Sequence, residues 1–261
     1  MSKANHQSLS FAHATGASFE LNGTTFHIPK ADGKGKSRAD SFAIVKGNQL
    51  LNAYADLVAD APKSIFEVGF FEGGSSVFLD RLFTPDQLTC VDIRPDRIEP
   101  VDAYIQQNAR QDAFRMFYSI DQSDKAKLRK MVHDHHGGTL DLVIDDASHE
   151  YFRSKATFEA LFPFLKPGGI YFLEDFGWAH TPVYQKRKPR WKRKPPWKPD
   201  IAALSNLVFE LTMIMATNSS IISKIEMDTA SCRIVRGPID LGDSFSVDES
   251  YISRGKQIRL I

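Results

Sequence analysis

Residues 143–151 read VIDDASHEY, placing two adjacent carboxylates, Asp145 and Asp146, at the end of an apolar run, with His149 and Glu150 close behind. Charge at the end of a buried strand is costly unless something compensates it. A second acid pair, Glu174 and Asp175, closes the run IYFLE, while Glu67 lies in SIFEV, Asp92 follows LTCV and Asp121 follows FRMFYSI. Any one of these acids reads equally well as a helix cap or a turn residue. Together they put carboxylates at the end of every candidate strand in the middle of the chain. Such a row repels itself unless a cation or a hydroxyl-rich ligand lies within it. Carboxylates from neighbouring strand ends, with no cysteine nearby, match the hard-oxygen preference of magnesium. A neutral histidine beside them can take a proton near neutral pH.

The elements that must position these acids follow a regular alternation. Apolar runs at 64–68, 88–92, 114–120, 140–145 and 170–174 alternate with segments of helical character. In the last of these, Phe158, Leu161, Phe162 and Leu165 fall on one helical face, and Lys166-Pro167-Gly168-Gly169 reads as its terminator. Continuous apolar strands alternating with helices predict βαβ units and a parallel sheet covered on both faces. Ahead of them, Asn22-Gly23 between two alternating runs predicts a hairpin over 17–28, and a helical region spans roughly 41–60. A helix over 201–216 and a closing hairpin at 221–227 and 231–237 follow. The expected fold is α/β, a Rossmann-like doubly wound sheet, mainly parallel with a C-terminal antiparallel hairpin. The expected division is an N-terminal extension (1–40), a main domain (41–237) with an insertion at 180–200, and a tail (238–261).

In an open parallel sheet the ligand crevice lies beyond the carboxyl ends of the strands. The first loop there is EVGFFEGGS, from Glu67 through Gly69 and Gly73 to Ser75. Its glycines allow a ligand close to the backbone at a helix N-terminus. It is neither the dinucleotide fingerprint nor a phosphate loop, and Glu67 with Glu72 suits an amine and a sulfonium better than a phosphate. Asp92, at the end of the second strand, is placed to accept from a ribose diol.

With these residues the chain resembles the class I S-adenosylmethionine-dependent methyltransferases over about 63–176. IDDASH (144–149) and LFPFLKPGGIYFLEDF (161–176) resemble a narrower group. These are the metal-dependent sugar O-methyltransferases of macrolide biosynthesis (mycinamicin and macrocin type) and the cephalosporin-hydroxylase-like proteins. The resemblance implies S-adenosylmethionine and Mg2+ as cofactors. It implies Asp146, Glu174 and Asp175 as metal ligands and His149 as general base. By pattern alone either Asp145 or Asp146 could be the ligand, since neighbours on a strand face opposite ways; the resemblance selects Asp146 and leaves Asp145 to face the cofactor or pin a helix. It also implies Asp121 and Gln122 as contacts to the adenosine, against the alternative of a plain turn. Larger members of that group carry an extended N-terminal domain, whereas about 60 residues precede the first strand here. A metal-dependent hydrolase or oxidoreductase on the same fold, a small phenolic acceptor, and a non-catalytic binding protein are the rival readings.

The remaining features bound the partners. A net charge of +1 offers no global field for nucleic acid. The two cysteines, Cys90 and Cys232, suit a reducing compartment, and with no secretory or membrane-spanning pattern the expected location is cytoplasmic. Residues 186–198, KRKPRWKRKPPWK, form a basic, proline-rich stretch carrying Trp191 and Trp197. It reads as a lid over a small-molecule or glycan acceptor, favouring an anionic one, as a peripheral membrane-docking segment, or as an inert solvated loop; self-association is a separate option for completing the pocket. HDHH (133–136) sits before two glycines and reads as a helix end rather than a metal cluster.

Overall fold

The computed structural model describes residues 11, 18–29, 35–181 and 202–253; the basic stretch 186–198 lies outside the described residues. The N-terminal strands β1 (Ser18–Leu21), β2 (Thr24–His27) and β3 (Phe42–Ala43) form a small sheet. Asn22 (φ 47°) and Gly23 (φ 75°) make the expected tight turn between the first two. Helix α1 (Asn48–Asp56) leads into β4 (Ser64–Val68), α2 (Gly74–Phe83), β5 (Gln87–Val91), α3 (Glu99–Gln107), β6 (Phe114–Phe117), α4 (Lys125–His136), β7 (Leu140–Asp145), α5 (Tyr151–Leu161) and β8 (Leu165–Glu174). Helix α6 (Ser205–Thr217) and the hairpin β9 (Ile222–Met227) and β10 (Ser231–Arg236) complete the large sheet. Its order is β6-β5-β4-β7-β8-β10-β9, parallel through β8, with β10 antiparallel to both β8 and β9. The fold class read from the alternation is the one observed.

The pleat divides two apolar cores. Ile65, Leu88, Cys90, Leu142, Ile144, Ile170 and Phe172 face the side of α1–α3, where the N-terminal sheet packs its Phe19 and Phe26 around Phe78. Phe66, Val68, Val91, Val143, Tyr171 and Leu173 face α4–α6. Strand pairing between β2 and β3 crosses residue 40, and Phe245 and Val247 of the C-terminal stretch are buried in the second core.

Three local expectations change. Lys166-Pro167-Gly168-Gly169 does not end a helix: α5 stops at Leu161, a 3-10 turn covers Phe162–Phe164, and β8 already begins at Leu165. Phe162 stacks on Phe158 with ring centroids 4.4 Å apart, which turns the chain early. The Lys-Pro-Gly-Gly run then enters the sheet with a register shift opposite Leu140–Leu142. The third strand ends at Phe117, because Ser119 (φ 56°) turns the chain away. The region 41–60 opens with β3 before α1 starts. As expected, the HDHH run ends α4: Gly137 caps it, and His136 is held between Ser64 Oγ (2.8 Å) and Thr89 Oγ1 (2.9 Å). Among the described residues no helix is long and apolar enough to cross a membrane, and Cys90 and Cys232 are both free and buried.

Candidate active site

A cavity of about 600 Å³ opens at the carboxyl ends of β4, β5 and β7, lined among others by Gly69, Phe71, Asp92, Ile93, Gln122 and Asp146. Gly69 (φ 89°) is required there: a Cβ on it would lie 2.3 Å from the carbonyl oxygen of Asp146. Asp92 braces the glycine loop, accepting from the backbone N–H groups of Phe70 and Phe71 through Oδ2 (both 3.0 Å) and of Arg94 through Oδ1 (2.9 Å). Asp121 also lines the cavity, paired with Arg153 at 3.0 Å. The Ser123 backbone N–H and hydroxyl, with Arg153, hold its carboxyl below the usual range. Gln122 accepts from the Ser148 backbone N–H (2.9 Å) and donates to Thr157 Oγ1 (3.1 Å), tying the loop after β6 to the loop after β7.

Several residues expected at the cofactor lie beneath the cavity instead. Glu67 is fully buried under α2, accepting from the Ser76 hydroxyl and leaving Oε1 without a partner; burial pushes its carboxyl up, against the pull of the Ser75 and Ser76 hydroxyls. Gly73 packs toward Val101, where a Cβ would come within 2.6 Å. Ser75 opens onto a smaller hollow that it shares with Lys46 and Asp146. Asp145 is corrected outright. The pleat turns it toward α5 and α6, where it is 1% exposed and accepts from the Tyr171 hydroxyl at 2.7 Å, away from the cavity. Burial pushes its carboxyl up to about 6, even with the Tyr171 bond opposing the shift.

Asp146 faces the other way, toward α1, and there the acid row meets a cation absent from the sequence expectations. Lys46 Nζ donates to Asp146 Oδ2 (2.7 Å) and to both Glu174 oxygens (2.8 and 2.7 Å), with its side chain only 3% exposed. The Tyr54 hydroxyl donates to Glu174 as well. Burial by itself would lower the Lys46 ammonium, but Asp146 and Glu174 outweigh it and hold it above the usual lysine range. The approach depends on a bare backbone at the start of α2: a Cβ on Gly74 would lie 2.0 Å from the Ala43 carbonyl oxygen, so only glycine lets the chain carrying Lys46 cross there.

The expected metal set is therefore rearranged. Glu174 is satisfied by Lys46 and Tyr54, while Asp146, His149 and Asp175 each offer one ligand atom within 4.8 Å of the others. His149 Nε2 lies 3.7 Å from Asp146 Oδ1. Its backbone is left-handed (φ 54°), as is that of Asp175 (φ 51°), and the indole N–H of Trp178 donates to the His149 carbonyl at 3.0 Å. Two carboxylates and an imidazole at this separation fit a divalent cation in donor type, with Asp146 and Asp175 supplying the hard oxygens.

Residues 66–176 match a family model described as a methyltransferase domain. The chain is 43% identical over 65 residues, 25% of its length, to 8-demethyl-8-alpha-L-rhamnosyl tetracenomycin-C 2'-O-methyltransferase of Streptomyces olivaceus. It is 32% identical over 113 residues, 43% of its length, to 8-demethyl-8-(2-methoxy-alpha-L-rhamnosyl)-tetracenomycin-C 3'-O-methyltransferase of the same organism. The matched regions span only 17% and 26% of those relatives. Among solved structures, the O-methyltransferase TomG from Streptomyces achromogenes, in complex with S-adenosylmethionine, shares the fold at a TM-score of 0.51 and 15% identity, over 75% of this chain and 82% of that one.

Proposed function

We propose that this chain transfers a methyl group from S-adenosylmethionine to a hydroxyl of a sugar or glycoside, with magnesium assisting. The observation that carries the reading is the position of Asp146. It lines the cofactor-sized cavity, and one of its carboxylate oxygens faces His149 at 3.7 Å. A methyl donor in the cavity and a base beside the acceptor thus meet at one residue. The curated relatives named above act, by their names, on hydroxyls of a rhamnosyl group, which motivates the acceptor class.

S-adenosylmethionine supplies an electrophilic methyl on a sulfonium leaving group. Gly69, Asp92 and Gln122 would line its binding site, with Phe71 and Ile93, both largely exposed, as apolar walls. With the cofactor bound, the acceptor hydroxyl would take the methyl group from the sulfonium, and His149 would accept the hydroxyl proton. Asp146 and Asp175 would hold a magnesium ion, which polarises the acceptor hydroxyl when bound. Magnesium's preference for oxygen leaves the imidazole available for the proton. Holding the hydroxyl in line with the departing sulfur is mainly a matter of positioning.

The test is methyl transfer from S-adenosylmethionine carrying a labelled methyl group to a panel of rhamnosides, other glycosides and a catechol, with magnesium or with a chelator. The reading expects label on a glycoside hydroxyl, at a higher rate with magnesium. Label on the catechol alone would overturn the acceptor class, and equal rates with chelator would overturn the metal's part.

A further inference from the structure

The acids that the sequence marks out for a divalent ion already hold a cation belonging to the chain. We propose that Lys46 is the resident counter-ion of this site and that a divalent cation gains Glu174 and the second oxygen of Asp146 only by displacing the Lys46 ammonium. The inference rests on the methyltransferase reading, because the contested acids are those of that site.

Four observations carry it. Lys46 Nζ makes three contacts of 2.7–2.8 Å to two carboxylates, a near-complete donor set for an ammonium. The Tyr54 hydroxyl occupies a further position on Glu174, so that carboxylate has little capacity left for an ion. Asp146 is shared: Oδ2 faces Lys46 while Oδ1 faces His149, so the carboxylate spans both halves of the site. An ion bound through Oδ1 and Asp175 would therefore sit one carboxylate away from a buried positive charge, and the two cations would repel in a poorly screened setting. Both chain neighbours of the buried Lys46 are exposed. Val45 is 56% exposed, and Gly47 has nothing within 4 Å of where its Cβ would be.

Neither cation is redundant in this arrangement. With Lys46 seated, Glu174 and Asp146 are compensated and the fold is complete without metal. With Lys46 withdrawn, Glu174 becomes available beside Asp146 and Asp175. The ammonium then sets how tightly the ion is held.

The experiment measures Mn2+ binding by electron paramagnetic resonance on the full chain, with Mn2+ standing in for magnesium. It compares wild type, Lys46→Met and Lys46→Met/Glu174→Gln. Removing the competitor is expected to tighten Mn2+ binding at least tenfold in Lys46→Met, and Glu174→Gln is expected to abolish that gain. Unchanged or weaker binding in Lys46→Met, or a gain that persists in the double variant, overturns the proposal. Should Lys46→Met fold only with Mn2+ present, that supports displacement. Failure to fold with Mn2+, while Lys46→Met/Glu174→Gln folds, overturns it. S-adenosylhomocysteine binding is measured on the same samples. Its presence without the Mn2+ gain removes this inference alone, and its absence from wild type removes the methyltransferase reading itself.

Discussion

Replacing Tyr171 with phenylalanine tests the reassignment of Asp145 from cofactor ligand to internal strut. Tyr171 is fully buried and its hydroxyl donates to Asp145 Oδ2 at 2.7 Å. Phenylalanine keeps the ring, which packs edge-to-face on Phe158 at 4.9 Å between centroids, so little cavity arises. The loss is one hydrogen bond to a buried carboxylate, about 1.5–3 kcal/mol. For a chain of this size that corresponds to a fall in melting temperature of roughly 4–10 °C. Asp145→Asn should behave differently. Its amide oxygen still accepts from Tyr171, and the burial of a charge is relieved, so the change in stability should stay within about 1 kcal/mol. Combining the two should cost less than the sum of the parts, because the residues share one contact. The assays are urea unfolding at pH 8 and S-adenosylhomocysteine titration of all three variants. Cofactor affinity within about threefold of wild type is expected throughout. A stable Asp145→Asn protein that has lost tenfold or more in cofactor affinity would refute the strut assignment and return Asp145 to the cavity.

Three further outcomes follow from the same geometry. Burial lowers the His136 imidazole to about 4 against an ordinary value of 6.5. In the folded state it therefore stays neutral while the unfolded chain takes up a proton, so stability is lost as pH falls from 6.5 through about 4. The loss is at most about 3 kcal/mol, and His136→Asn should flatten that part of a urea-unfolding pH series. Gly69→Ala places a methyl 2.3 Å from the Asp146 carbonyl oxygen in a backbone conformation that suits glycine; thermal unfolding and cofactor titration should show both lower stability and at least tenfold weaker cofactor binding. His149→Asn should lower kcat by about 10²- to 10⁴-fold while leaving S-adenosylhomocysteine affinity within a few-fold of wild type, a split read from steady-state kinetics beside titration.

The acid row was legible because a parallel sheet imposes its own logic: apolar runs end together, and whatever follows them shares one crevice. Its faces were legible only in part. Alternation required Asp145 and Asp146 to oppose each other, yet which of them met α1 was decided by the pleat of β7 against Tyr171 and Leu173 on β8. Lys46 left almost no local mark. It is a single lysine in IVKGN, a region read as helix, and its partners are 100 and 128 residues away. The usable signals were indirect: a row of carboxylates demanded a cation, and the second glycine of EGGS demanded a close neighbour, which is Ala43. The run Lys166–Gly169 misled because proline and glycine end helices and also open bulged strands, and the choice was made by Phe162 stacking on Phe158.

The most direct test of the central claim is calorimetric titration of S-adenosylhomocysteine into the wild-type chain and into Asp92→Ala. Saturable binding at one site per chain, weakened at least tenfold in the variant, is the predicted result. No binding by the wild type, with or without magnesium, would contradict the methyltransferase assignment and leave the 600 Å³ cavity to another ligand.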